Sequence, residues 1–257
     1  MEFSFDLLFL VIVGFIAGAI NIVAGGGSLL TLPMLIFLGL PSNVSNATNR
    51  IAIIIQNIFA VRGFQSKGVT GYPFSIYLAI PAVIGAVIGA KIAVDIPDEL
   101  FNKILAGVMI TIVIYMIFKP KVNTNKLQER LQGKYLWLGI LVFFFVGLYG
   151  GIIQAGVGFI MIMALSSINH IGLVKSNAIK VFVALIYSIA AVVVFQVDGI
   201  INWKYGLILA LGNASGGWFM SRYSVKKGDG FVRILLIVVV SILALKLLLP
   251  NIFSFNS

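Results

Sequence analysis

The chain has 257 residues, 60% of them hydrophobic and only 10% charged, with a mean hydropathy of +1.10 and a net charge of +10. A soluble domain carries about 25% charged residues, so a water-facing fold is excluded and lipid is the solvent that fits. Cysteine is absent and His170 is the single histidine, which excludes disulfides and thiolate chemistry and predicts neither a metal site nor a cofactor. The basic residues lie mainly in short loops between apolar runs, the ordinary bias of a membrane protein. The +10 therefore calls for a lipid bilayer as partner and for no nucleic acid.

The first apolar run, 5–24, follows Glu2 and Asp6 where a signal peptide would carry basic residues, and reads as a retained span. Further runs follow at 28–40, 44–62, 74–94, 98–118, 135–154, 158–172, 175–196, 203–222 and 231–249. Eight are long enough to cross as helices. Two, 28–40 and 158–172, are short, and each follows a glycine cluster, which leaves full crossing and re-entry open. The expected fold is an all-α, polytopic helical bundle. If all ten segments cross, twelve basic residues (Arg62, Lys67, Lys119, Lys121, Lys126, Arg130, Lys134, Lys175, Arg222, Lys226, Lys227 and Arg233) fall on one side and three (Lys91, Lys103 and Lys204) on the other. Re-entry of both short segments spoils that asymmetry. The expectation is ten segments in the cell (inner) membrane, with the polar linker 119–134 cytoplasmic and both termini outside.

The linker separates two similar halves, 1–118 and 135–257. AGGGSLLTLPMLIFLGLPSNVSNATNR at 24–50 aligns without gaps on AGVGFIMIMALSSINHIGLVKSNAIKV at 155–181, an offset of 131. Ala24, Gly25 and Gly27 match Ala155, Gly156 and Gly158; Ser45, Asn46 and Ala47 match Ser176, Asn177 and Ala178. Upstream, Gly14, Gly18 and Asn21 pair with Gly147, Gly151 and Gln154 after a two-residue gap. The last helices open alike, FNKIL at 101–105 and FVRIL at 231–235. Five crossings per half, an odd number, predict inverted repeats, a recurrent transporter design with broken helices near the midplane.

Gly25, Gly26 and Gly27, echoed by Gly156 and Gly158, each cost about 1 kcal/mol in a helix interior relative to alanine. They suit a break whose freed N–H groups, with the positive end of the following helix, favour an anion; close packing through small residues is the alternative. The ladders Gly85–Gly89 and Gly212–Gly217 read as packing. In the segment opened by SNATNR, Asn46, Asn49 and Arg50 share one helix face. Asn177 and Lys180 take the positions of Asn46 and Asn49 in the second half. Arg50 and Lys180 either serve a site or snorkel to headgroups. Gln56 and Asn57 either line the same path or bond between helices. None of the eight carboxylates (Glu2, Asp6, Asp95, Asp98, Glu99, Glu129, Asp198 and Asp229) sits in the middle of a span. A cation pathway places such groups inside spans, so the sign expected of the substrate is negative. Lys246 reads as snorkelling near the outer end of the last segment.

The run GFIAGAINIVAGGGSLLTLPMLIFLGLPSNVSNATNR resembles the N-terminal signature of the sulfite exporter TauE/SafE family, and the echo at 147–181 fits the duplicated build of that family. The resemblance spans about 14–249. It implies a permease for sulfite, sulfonates or related sulfur compounds, with the glycine stretch at Gly25, Gly26 and Gly27 and the polar helix opening at Asn46, Thr48, Asn49 and Arg50. Val157 stands where the first copy has Gly26, so the second break is less glycine-rich. The resulting expectation is a secondary transporter of a small anion working by alternating access, with a passive anion channel as the alternative. The candidate binding residues are Asn21, Gly25, Gly26, Gly27, Asn46, Asn49, Arg50, Gln154, Gly156, Gly158, Asn177 and Lys180. An enzyme is disfavoured, since no cysteine, no carboxylate pair and one histidine leave little for acid–base or metal work. A homo-oligomer and a coupled proton or sodium ion stay open.

Overall fold

The computed structural model describes residues 5–118, 128–223 and 241. The expected tenth segment, 231–249, Lys226, Lys246 and most of the linker lie outside these. The described residues form helices α1 (Phe5–Ala24), α2 (Ser28–Phe37), α3 (Ser42–Gln65), α4 (Phe74–Val94), α5 (Asp98–Phe118), α6 (Lys134–Ile152), α7 (Val157–Ser167), α8 (Leu173–Val197) and α9 (Trp203–Tyr223). The all-α membrane bundle expected from hydropathy is what is seen. Among the described residues, α1, α4, α6 and α8 are both long and apolar enough to cross a membrane. Helix α3 has the length, 24 residues, but not the apolarity, because its polar side chains are turned into protein: Ser45, Asn46, Thr48, Asn49, Arg50, Gln56 and Asn57 are all buried.

The two short helices have 10 and 11 residues, shorter than the apolar runs 28–40 and 158–172. The cause is local. Gly39 has φ +88°, a left-handed residue that ends α2, and His170 at φ +53° sits in the turn after α7. The apolar Leu38, Leu40, Ile168 and Ile171 belong to those turns and disguise them in the sequence.

Close backbone crossings set the helix directions. Helices α1 and α9 run parallel: a Cβ on Gly14 would lie 2.9 Å from the Leu209 carbonyl oxygen, Gly18 faces the Asn213 backbone, and Gly216 faces Phe15 and Ala19. Helices α4 and α6 repeat this, with Gly85 against Phe144 and Leu148, Gly89 against Leu148 and Gly151, and Gly147 against Ala82. The glycines let the backbones approach, the usual way that helices pack in lipid. The ladders are packing surfaces, as expected, and their partners are the upstream glycines of the other half. Helix α3 lies parallel to α9, from Gly206 beside Thr48 and Ile51 to Gly63 beside Ser221. It is antiparallel to α8: Ala47 clusters with Ala191 and Phe195, while Ala60 and Phe64 cluster with Ala178 and Val181. Helix α4 ends where α3 begins, with Asn43 Nδ2 donating to the Val94 carbonyl over 3.4 Å. So α1, α3 and α9 point one way and α4, α6 and α8 the other.

The α1–α9, α4–α6, α3–α9 and α3–α8 packings each join one half to the other, so the halves interleave instead of forming two lobes. Gly147→Leu should be costly, because its side chain would enter the Ala82 backbone. Overpacking of this kind costs about 1–3 kcal/mol; a lower thermal midpoint in detergent checks it, and an unchanged midpoint contradicts the crossing.

Candidate functional site

Both helix breaks are real, and they touch. Gly25 has φ +83° and Gly156 φ +71°, a backbone region that glycine reaches at little cost. A Cβ on Gly25 would lie 2.6 Å from the Gly158 Cα, so the first break crosses the start of α7. Gly27 tucks back against Ala17 and Asn21, sending α2 back along α1. Gly26 faces the Phe159 ring and Gly156 the Ile112 side chain. Between helices, Gly25 N–H donates to the Asn21 carbonyl at 2.9 Å and Ile153 N–H to the Tyr149 carbonyl at 2.8 Å. The N–H groups of Gly26 and Gly27 in one break, and of Gln154, Ala155 and Gly156 in the other, donate to no acceptor among the described residues.

The two intramembrane cations do not snorkel. Arg50 is 0% exposed and Lys180 is 3% exposed. Each reaches from the third helix of one half to the end of the first helix of the other. Arg50 donates to the Gly151 carbonyl (2.7 Å), Gln154 Oε1 (3.1 Å) and Asn46 Oδ1 (3.5 Å), and its guanidinium carbon lies 5.0 Å from the centre of the Phe195 ring. Asn46 Nδ2 donates to the Ile152 carbonyl at 2.8 Å. Lys180 Nζ donates to the carbonyls of Asn21 (2.7 Å) and Ile22 (3.2 Å) and to Asn177 Oδ1 (2.7 Å). The last carbonyls of a helix lack intrahelical partners and carry partial negative charge, so a cation there is favourable. Among the described residues no carboxylate pairs with either group; the ion pairs there are Lys103–Glu99 and Lys175–Glu129. Two basic side chains therefore stand in the core, held by backbone carbonyls, side-chain amides and, for Arg50, the Phe195 ring.

A cavity of about 20 Å³ sits where the breaks meet, lined by Asn21, Gly25, Ser28, Ile53, Asn57, Gln154, Gly158, Met161, Lys180, Ala184 and Tyr187. Five of the candidate residues, Asn21, Gly25, Gln154, Gly158 and Lys180, converge on it. Arg50 and Asn177 lie one hydrogen bond behind, through Gln154 and Lys180. Asn49 is elsewhere: its Oδ1 accepts from Thr31 Oγ1 at 2.7 Å and ties α2 to α3. Gly26 and Gly27 shape the break without lining the space. Asn57 borders the cavity, and its Nδ2 is buried there without a partner. Tyr187, a residue the motifs do not reveal, bonds Gln154 Nε2 at 3.0 Å through its hydroxyl. The repeat offset holds the missing signal, for it carries Gln56–Asn57 onto Tyr187–Ser188 and Ile53 onto Ala184.

Membrane-length helices around a buried polar centre that holds two basic side chains define a polytopic membrane protein. The profile of the sulfite exporter TauE/SafE family matches residues 10–247, and the chain belongs to that family. It is a membrane transporter. Similar proteins include the "Probable membrane transporter protein ORF9" of Sinorhizobium sp, 29% identical over 96% of this chain and 94% of that protein. Another, from Haemophilus influenzae, bears the name "Probable membrane transporter protein" and is 28% identical over 93% of each chain. The "Probable membrane transporter protein YfcA" of Escherichia coli K12 is 26% identical over 92% of this chain and 87% of that one. No solved structure matches the chain.

Proposed function

We infer that the protein carries a small anion, a sulfur oxyanion or organosulfonate, across the cell membrane by alternating access. The observation that carries this is Arg50 and Lys180, both buried and neither ion-paired with a carboxylate among the described residues. Burying an unpaired charge is expensive, and an anion arriving between them offsets part of that cost. At the cavity wall the unpaired N–H of Gln154 and Asn57 Nδ2 supply donors of the same sign. The family name adds sulfite as the first compound to try.

The cavity has room for about one water molecule, so this conformation is occluded and the anion enters only when helices part. That favours a transporter over an open anion channel. The α1–α9 and α4–α6 pairs are locked by backbone crossings and each draws one helix from either half. The moving bodies are accordingly mixed pairs, with α3 and α8 between them carrying the cations; the division 1–118 and 135–257 is one of sequence repeats. Opposite directions of α1 and α6 support inverted repeats, with the linker side cytoplasmic.

Two measurements test this reading. In a thermal-unfolding screen of sulfite, sulfate, thiosulfate, taurine and small carboxylates, at least one anion should stabilise the purified protein by about 2.7 kcal/mol at a hundredfold excess over its Kd. A stabilising effect confined to cations opposes the assignment. Because the chain has no cysteine, Lys67→Cys and Lys204→Cys give clean accessibility reporters. Lys67→Cys should label from the cytoplasm and Lys204→Cys from outside; labelling of both from one side contradicts the topology.

A further inference from the structure

The parallel helices α3 and α9 leave between them an outward-facing groove of about 500 Å³, lined by Ile55 and Phe59 from α3 and by Leu207, Leu211, Ala214 and Trp218, among others, from α9. Its wall is apolar, and Leu207, Leu211 and Trp218 are exposed at 49%, 67% and 41%. From Leu207 to Trp218 the groove runs about 16 Å at the helical rise of about 1.5 Å per residue, a length that matches a good part of an acyl chain.

One end of this groove is charged. Arg62 follows Phe59 by three residues and Arg222 follows Trp218 by four, so both stand one turn beyond the lining. The two turns are pressed together, since Gly63 abuts Ser221 and a Cβ there would lie 3.9 Å from the Arg222 Cγ. The Arg222 guanidinium carbon sits 4.2 Å from the centre of the Trp218 ring, which holds it over the mouth. Both arginines are exposed, and neither meets a carboxylate among the described residues. A cation in the last turn of a helix also complements the helix dipole, but that accounts for either residue alone and not for two at the mouth of one apolar groove. A tryptophan between an apolar trough and a basic pair is the arrangement expected at a headgroup boundary.

We propose that this groove is a binding site for an anionic phospholipid of the inner leaflet, with one acyl chain between α3 and α9 and the phosphate held by Arg62 and Arg222. Charge complementarity selects this occupant over a zwitterionic lipid, and the bilayer supplies it at high local concentration. The site is separate from the central cavity, so it stands or falls independently of the transported anion.

The test is native mass spectrometry of the whole protein released from nanodiscs of phosphatidylglycerol and phosphatidylcholine with identical chains. The wild type should retain phosphatidylglycerol at least about tenfold over phosphatidylcholine. The double substitution Arg62→Gln and Arg222→Gln, at exposed positions, should erase that preference while the protein stays folded. Ala214→Trp, which fills the groove but keeps both arginines, should also lower retention. Equal retention of the two lipids by the wild type overturns the proposal. So does a preference that survives the double substitution, or one that survives Ala214→Trp, which would reduce the arginines to a surface charge without a groove.

Discussion

Lys180→Met and Arg50→Met should each cut anion flux into proteoliposomes by about 10–100-fold, measured on protein shown to be folded. A charge-assisted hydrogen bond is worth about 1.5–3 kcal/mol, and each 1.4 kcal/mol is a factor of ten. The competing account is purely structural. Both cations already cap helix ends, Lys180 on the carbonyls of Asn21 and Ile22 and Arg50 on that of Gly151. A capping role alone predicts lower stability with unchanged flux per folded molecule. A binding role predicts a raised KM for the anion, and partial recovery in Lys180→Arg and Arg50→Lys, which keep the charge. Lys180 is the more sensitive position because it lines the cavity, whereas Arg50 acts through Gln154.

Substitutions at the crossing of the two breaks should have the largest effect on stability. Gly25→Ala meets two penalties. A left-handed φ costs a residue with a Cβ about 1–2 kcal/mol, and the new Cβ enters the Gly158 backbone, adding about 1–3 kcal/mol. Gly158→Ala meets the second penalty alone, for its Cβ would fall against the Gly25 backbone. Gly39→Ala meets the first alone: its φ is +88° with nothing within 4 Å of the new atom. Thermal midpoints should therefore fall most for Gly25→Ala and less for the other two. If Gly25→Ala and Gly39→Ala behave alike, the breaks do not touch.

The helices were legible where apolar runs end at charge, proline or glycine. Runs 74–94 and 98–118 coincide with α4 and α5 because Pro73, Asp95, Pro97 and Asp98 punctuate them. The ends of α2 and α7 were not, since the turns after them are themselves apolar. The site was legible in chemistry before it was legible in space. Charge placement singled out Arg50 and Lys180, and the repeat singled out the glycines. Pairwise motifs could not show that Gly25 meets Gly158 instead of its repeat mate Gly156, because that crossing depends on how α1 and α7 pack. Nor could they show that Asn49 turns to Thr31 and away from the cavity. Tyr187 stayed hidden because an aromatic residue inside an apolar span reads as core; only its register with Gln56 marks it as polar lining.

Counterflow of labelled sulfite measures carriage of the anion most directly. Proteoliposomes preloaded with unlabelled sulfite should take up external label saturably, faster than empty ones, and Lys180→Met should remove that uptake while remaining folded. Uptake that rises linearly with concentration and ignores the internal anion, or that persists in folded Lys180→Met protein, would contradict an anion carried between the two buried cations.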